Sequence, residues 1–236
     1  MDLKEEGLLG NQISQHWYYK SKASALLRLV GNYENKIVLD VGAGSGFFTK
    51  YLLNNTLAEK GICVDISYPT EWKEQVNGKE INYLKNCGPV DADLVLLMDV
   101  LEHVDDDIEL LRQYISKVQT GARFLITVPA FNFLWSGHDV FLEHRRRYTL
   151  KDINRLINAA GLEKNVLCYY FGSVFPIAVA IRLAKRLIKG RGQAENELKI
   201  HGSLTNSLLA TFCYAELPFF KLNKFAGLSV FCLCRK

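Results

Sequence analysis

Two short stretches concentrate the side chains able to move protons or hold ions. The first is Asp99-Val100-Leu101-Glu102-His103-Val104-Asp105-Asp106-Asp107, and the second runs from Leu134 to Tyr148 and holds Trp135, His138, His144, Arg145, Arg146 and Arg147. An imidazole can be neutral near pH 7 and accept a hydroxyl proton, so His138 is the first candidate for a general base, His144 the second and His103 the third. A guanidinium can grip a carboxylate or phosphate with two parallel hydrogen bonds, which suits Arg145 to Arg147 to an anionic substrate; a solvated or helix-pairing face is the alternative. A site without metal is the primary expectation, with Glu102 and His103 hydrogen-bonding around a helix start that Asp105, Asp106 and Asp107 also favour electrostatically. The alternative is a hard divalent cation held by carboxylates and imidazoles of this stretch, Mg²⁺ or Mn²⁺ and not a structural zinc.

A third stretch, Lys36 to Leu53, must supply a binding platform. Ile37 to Leu39 reads as a buried strand, Gly42-Ala43-Gly44-Ser45-Gly46 breaks it, and Thr49 to Leu53 resumes with helical spacing. Glycines there let a polar ligand approach the backbone, while the free N–H groups of the first helical turn face it. A pyrophosphate is the poorer match, because Phe47 stands where the third glycine of a dinucleotide loop would fall. The next strand-like run, Gly61 to Asp65, ends in an acid 19 residues after Gly46.

The run D-V-G-A-G-S-G followed by a strand ending in V-D resembles the class I S-adenosylmethionine (SAM) methyltransferases. That resemblance implies that Gly42, Ala43, Gly44 and Gly46 wrap the amino-acid end of SAM, with Asp40 behind the loop and Asp65 on the ribose hydroxyls. Ile66, Cys87, Met98 and Asp99 complete the implied crevice, with adenine near Asn86, Cys87 and Met98. The aromatic cluster His16 to Lys22 is similar to the N-terminal lid of such enzymes, which places Tyr18 and Tyr19 over the acceptor. D-V-L-E-H-V resembles the ubiquinone-type O-methyltransferases and their relatives in saccharide, lipid and natural-product pathways; in some relatives, including small-RNA 2′-O-methyltransferases, an E-x-x-E-H version binds a divalent metal with help from a later histidine, which implies Asp99, Glu102 and His103 as the metal-binding alternative here. W-S-G-H-D-x-x-x-x-H-R-R-R-Y is similar to a segment of methyltransferases from sugar- and lipid-linked pathways, which puts Trp135 at the acceptor. The implied activity is methyl transfer to a hydroxyl of a small-molecule or lipid- or sugar-linked acceptor, with a histidine taking the proton. A SAM-binding protein that transfers no methyl and a nicotinamide-dependent oxidoreductase are the competing readings.

The elements that position these residues read as an α/β fold: a Rossmann-like, seven-stranded, mostly parallel sheet with helices on both faces and a helical insertion between the last two strands. The expected strands are 37–39, 61–65, 80–84, 92–99, 122–129, 165–171 and 228–234, with a short helix after the Ser67-Tyr68-Pro69-Thr70 turn. Residues 1–35 are read as a lid, 36–171 with 227–236 as the SAM-binding domain, and 172–226 as a cap. In the cap Arg182, Lys185, Arg186 and Lys189 form one helical stripe and Ile181, Ala184, Leu187 and Ile188 the opposite face. Peripheral membrane contact through 177–191, or covering of a lipid-like substrate, competes there with a dimer or intramolecular helix packed on the catalytic domain; charged residues and Pro218 rule out a span. The chain of 236 residues is 49% hydrophobic with a net charge of +4. Its basic residues are clustered rather than interleaved with aromatics, so nucleic acid is not the expected acceptor. No CxxC pair occurs among the six cysteines, which read as reduced and buried, and no signal peptide opens the chain, so a cytoplasmic protein is expected. The oligomeric state is open.

Overall fold

The computed structural model describes residues 10–31, 34, 36–189 and 202–236. Uninterrupted apolar runs become strands covered on both faces, as a parallel sheet demands. They are β1 Ile37–Val41, β2 Lys60–Val64, β3 Trp72–Val76, β4 Lys79–Leu84, β5 Leu94–Met98, β6 Arg123–Pro129, β7 Glu163–Tyr170 and β8 Ser229–Arg235. Every residue of β5 is buried. The sheet order is β3-β4-β2-β1-β5-β6-β8-β7. The pairs joining β4, β2, β1, β5 and β6 are parallel, and β3–β4, β6–β8 and β7–β8 are antiparallel.

Eight strands, not seven, make the sheet, and the extra one is β3, where a short helix was expected. Its cause is local. Asn77 (φ 51°) and Gly78 (φ 78°) both adopt the left-handed backbone that a two-residue hairpin turn requires, and Val76 pairs with Lys79 across it. The Trp72 indole then stacks on Tyr83 of β4 with ring centroids 4.2 Å apart.

The helices are α1 Trp17–Val30, α2 Phe47–Asn55, α3 Asp107–Lys117, α4 Gly137–Phe141, α5 Leu150–Ala159, α6 Phe175–Lys189 and α7 Ser203–Glu216. Helix α5 begins where its sequence predicts: the Thr149 hydroxyl accepts from Asp152 N and the Asp152 carboxylate accepts from Thr149 N. Such a box typically contributes about 1 kcal/mol. Its stripe of Ile153, Leu156 and Ile157 is buried against the sheet face that also covers Leu39, Leu97 and Ile126. The opposite face packs α1 and α2 through Leu26, Leu29, Phe48 and Leu52. All six cysteines are free and buried, as expected.

Strand order reverses at β1, whose neighbours are β2 on one side and β5 on the other. In an open α/β sheet the crevice forms beyond the carboxyl ends of strands at that switch point, so Gly42, Asp65 and Asp99, which follow β1, β2 and β5, face one another there. Helices α6 and α7 lie between β7 and β8 in the chain. Helix α7 is tied to α1, with Trp17 N donating to Asn206 Oδ1 (2.8 Å) and Asn206 Nδ2 to Gln15 O (2.9 Å). Helix α6 leans on the segment after β6, where Arg182 donates to Leu134 O (2.8 Å). No helix of the described residues is long and apolar enough to cross a membrane.

Candidate active site

The glycine loop turns sharply because three of its residues take positive φ: Gly42 (64°), Gly44 (54°) and Gly46 (71°). A Cβ on Gly46 would stand 2.7 Å from the Tyr83 hydroxyl, so side chains are excluded by space as well as by conformation. Gly42 N donates to Val64 O (2.7 Å), locking the loop to the end of β2. Behind it Asp40 is buried and accepts from Thr49 Oγ1 (2.8 Å), and burial lifts its carboxyl to about 6. Asp65 is oriented by Gly44 N (3.1 Å) and Ser67 N (2.9 Å), and Tyr68 donates to Gly44 O (2.5 Å). Ile66 beside it is 90% exposed, an apolar side chain held out at the crevice. Cys87 lies just inside the surface, its thiol pushed up by burial. Met98 departs from expectation: its side chain is buried in the core beneath α1 and α2, with Thr127 Oγ1 3.9 Å from its sulfur, so it does not line the crevice.

Across the crevice, Asp99 sits at the end of β5 with φ 57°, a strained backbone for a non-glycine residue. It forms an ion pair with Lys22, which is fully buried on α1 and also donates to the Tyr18 hydroxyl (3.1 Å). Burial works to raise the Asp99 carboxyl, but the Lys22 ammonium outweighs it and holds the group below the usual carboxylate range. The same pair raises Lys22, with the Asp99 charge overcoming burial. Tyr18 stacks on Phe171 at 5.0 Å and stays partly exposed. Tyr19 does not: it is buried against Phe47 and Phe48, a core residue rather than an acceptor contact.

Beside Asp99 lie Glu102, His103 and His144, whose ligand atoms all fall within 4.8 Å of one another. Both Glu102 carboxylate oxygens are buried without a hydrogen-bond partner among the described residues. Burial and then the neighbouring Asp99 charge push its carboxyl well above the usual range. The His103 and His144 rings meet edge to face at 4.8 Å. His144 Nδ1 lies 2.9 Å from Asp139 Oδ1, and Asp139 also takes Arg147 Nε (2.7 Å) and Nη2 (2.9 Å). Although burial opposes it, His144 and Arg147 hold Asp139 ionised, well below the usual range. An ionised acceptor beside Nδ1 calls for a proton on that nitrogen. His138 is outside this group.

The arginines take internal partners. Arg147 is buried on Asp139 and donates to Ala130 O (3.0 Å), so its expected role as an anion ligand is corrected to one of building the loop. Arg145 pairs with Asp105 and donates to His103 O (2.8 Å), and Arg146 donates to Val104 O (3.1 Å) and Asp105 O (2.7 Å). Both clamp the 101–107 segment, which is the helix-pairing alternative. The backbone of Arg145 adds a bond to Glu102 O (2.7 Å). Trp135, half-buried, precedes α4, whose start Ser136 and Asp139 cap reciprocally. Asp99 is likewise committed to Lys22, so the metal-capable set becomes Glu102, His103 and His144 in place of Asp99, Glu102 and His103. Sequence reasoning missed Asp139. The spacing Asp139, His144, Arg147, opened by the S-G-H-D capping box, was the available signal.

A parallel sheet reversing at β1, a glycine loop and an acid after β2 define a nucleoside-binding α/β domain. Residues 14–167, well over half of the chain, match the model of the methyltransferase domain family, and the chain belongs to that family. Among solved structures, a chain described as the methyltransferase in complex with the Haloferax volcanii Trm112 methyltransferase activator superposes with a TM-score of 0.57 at 13% identity, covering 98% of this chain and 94% of its own. A protein from Bacillus halodurans described as a methyltransferase gives 0.55 at 14% identity, covering 90% and 98%. A SAM-dependent methyltransferase from Archaeoglobus fulgidus gives 0.51 at 17% identity, covering 92% and 94%. A search of curated proteins finds no match.

Proposed function

We propose that the protein transfers a methyl group from SAM to a hydroxyl of a small-molecule or lipid- or sugar-linked acceptor, as the ubiquinone-type relatives that its D-V-L-E-H-V segment resembles would do. The observation that carries this reading is the Asp139–His144 pair: a buried, ionised carboxylate fixes an imidazole beside Glu102 and His103. The glycine loop and Asp65 fit the cofactor, since the loop excludes side chains and the acid stands at its lip. SAM, when bound, supplies a methyl carbon made electrophilic by its sulfonium. His144 Nε2 accepts the hydroxyl proton, and Asp139 stabilises the imidazolium that results. The Lys22–Asp99 pair joins the lid helix to the end of β5.

A second reading is favoured by the unpartnered Glu102 oxygens: a divalent cation on Glu102, His103 and His144, a mixed oxygen and imidazole set suited to Mn²⁺ or Mg²⁺. One experiment separates the readings. S-adenosylhomocysteine formation is followed over a panel of hydroxyl acceptors, before and after EDTA. Turnover that survives chelation supports the imidazole base; turnover lost to EDTA and restored by Mg²⁺ or Mn²⁺ assigns the cluster to a metal. SAM binding with no turnover on any acceptor favours a protein that uses the cofactor without methyl transfer.

A further inference from the structure

The unexpected strand β3 brings a cluster of aromatic rings against the back of the glycine loop. Trp72 opens the strand and pairs in register with Tyr83 of β4, so the two side chains share one face of the sheet. The Trp72 indole lies nearly parallel to the Tyr83 ring, at an interplanar angle of 5°, and meets Tyr68 edge on with centroids 4.8 Å apart. Both phenol oxygens reach the loop. Tyr68 donates to Gly44 O, and the Tyr83 hydroxyl, which donates to Glu74 of β3 (2.9 Å), lies 3.3 Å from Ser45 O and fills the space beside Gly46. Glu74 is held in turn by Lys50 (2.9 Å), on the helix that the loop opens.

Gly44 is therefore gripped at both of its polar atoms, its N–H by the Asp65 carboxylate and its carbonyl by the Tyr68 hydroxyl, from the turn that follows β2. That turn is closed by Tyr68 N donating to Asp65 O (3.3 Å). A glycine loses more freedom on ordering than any other residue, so a loop with glycine at every second position, left unsupported, would point its N–H groups in many directions. Fixing them before the ligand arrives removes that ordering cost from binding. We infer that Tyr68, backed by Trp72 and Tyr83, is a positioning residue of the cofactor site: it holds Gly44 and Ser45 in the geometry that receives the amino-acid end of SAM. The inference rests on the SAM reading and deepens it, assigning the order of the loop to a hairpin outside the loop.

The test is calorimetric titration of the full chain with SAM and with methylthioadenosine, which keeps the adenosine part and lacks the amino-acid end. Tyr68→Phe retains the ring and removes only the donor; it is expected to weaken SAM about tenfold and to leave methylthioadenosine affinity unchanged. Trp72→Ala should act in the same direction, and Trp72→Phe, which restores a stacking ring, should recover most of the loss. Equal SAM affinity in wild type and Tyr68→Phe overturns the inference. So does an equal loss for the two ligands, which would report a general loosening of the domain instead of a misplaced loop. A wild-type chain that binds neither ligand would remove the SAM reading itself, and the inference with it, whereas wild-type SAM binding indifferent to Tyr68→Phe removes the inference alone.

Discussion

Replacing His144 by alanine is expected to lower the rate of methyl transfer by about 10² to 10⁴ while SAM affinity stays unchanged, because the imidazole takes a proton from the acceptor and touches nothing in the glycine loop. His138→Ala should remain close to wild type. The Asp139→Asn variant tests the coupling, since an amide no longer favours the Nδ1–H tautomer and Nε2 ceases to be a reliable acceptor. Its loss should appear in kcat more than in KM. Full turnover by His144→Ala and by His103→Ala under saturating acceptor would leave no imidazole base in the cluster, and positioning of an already ionised acceptor would become the explanation.

The second large effect is on stability. Arg147→Met leaves the Asp139 carboxylate buried without its bidentate partner, and breaking a buried pair by removing one member costs about 3 to 5 kcal/mol. Denaturant unfolding should therefore show a much lower midpoint with little change in slope. The sign of the pH dependence follows from the depressed Asp139 carboxyl. Its contribution is fully present above the ordinary carboxylate pKa of about 3.9 and is lost as the pH falls below it. Wild type and Arg147→Met should accordingly converge in stability on acidification. A variant with wild-type stability at neutral pH would mean that the 132–148 segment is held some other way.

Much of the fold was legible because its signals are local. The apolar runs of β1, β5 and β6 have no alternation, and a strand buried on both faces needs none. Thr149 with Asp152 marked the start of α5 within four residues. Asn77-Gly78 was an equally local hairpin signal, but Lys73-Glu74-Gln75 before it breaks any strand alternation and a helical expectation overrode it. The candidate site was legible as a set of residues but not as a set of pairs. Lys22 and Asp99 are 77 residues apart, and Arg146 reaches Asp105 across 41, so their commitment to each other exists only once the sheet brings α1, β5 and the 132–148 segment together. An arginine run therefore read as an anion site became a clamp, and Met98 became core. The orientation of α6, with Arg182 turned toward the domain and Leu187 outward, was hidden for the same reason: an amphipathic pattern shows two faces and does not say which one the domain will take.

The central claim, that the crevice at the β1 switch point binds SAM through the glycine loop and Asp65, is tested most directly by calorimetric titration with SAM and, separately, with NAD. The account predicts saturable single-site binding of SAM, none of NAD, and a weakening of about 1.5 to 3 kcal/mol in Asp65→Ala, the range for hydrogen bonds to a charged group. Binding of NAD in place of SAM, or a SAM affinity indifferent to Asp65→Ala, would contradict it.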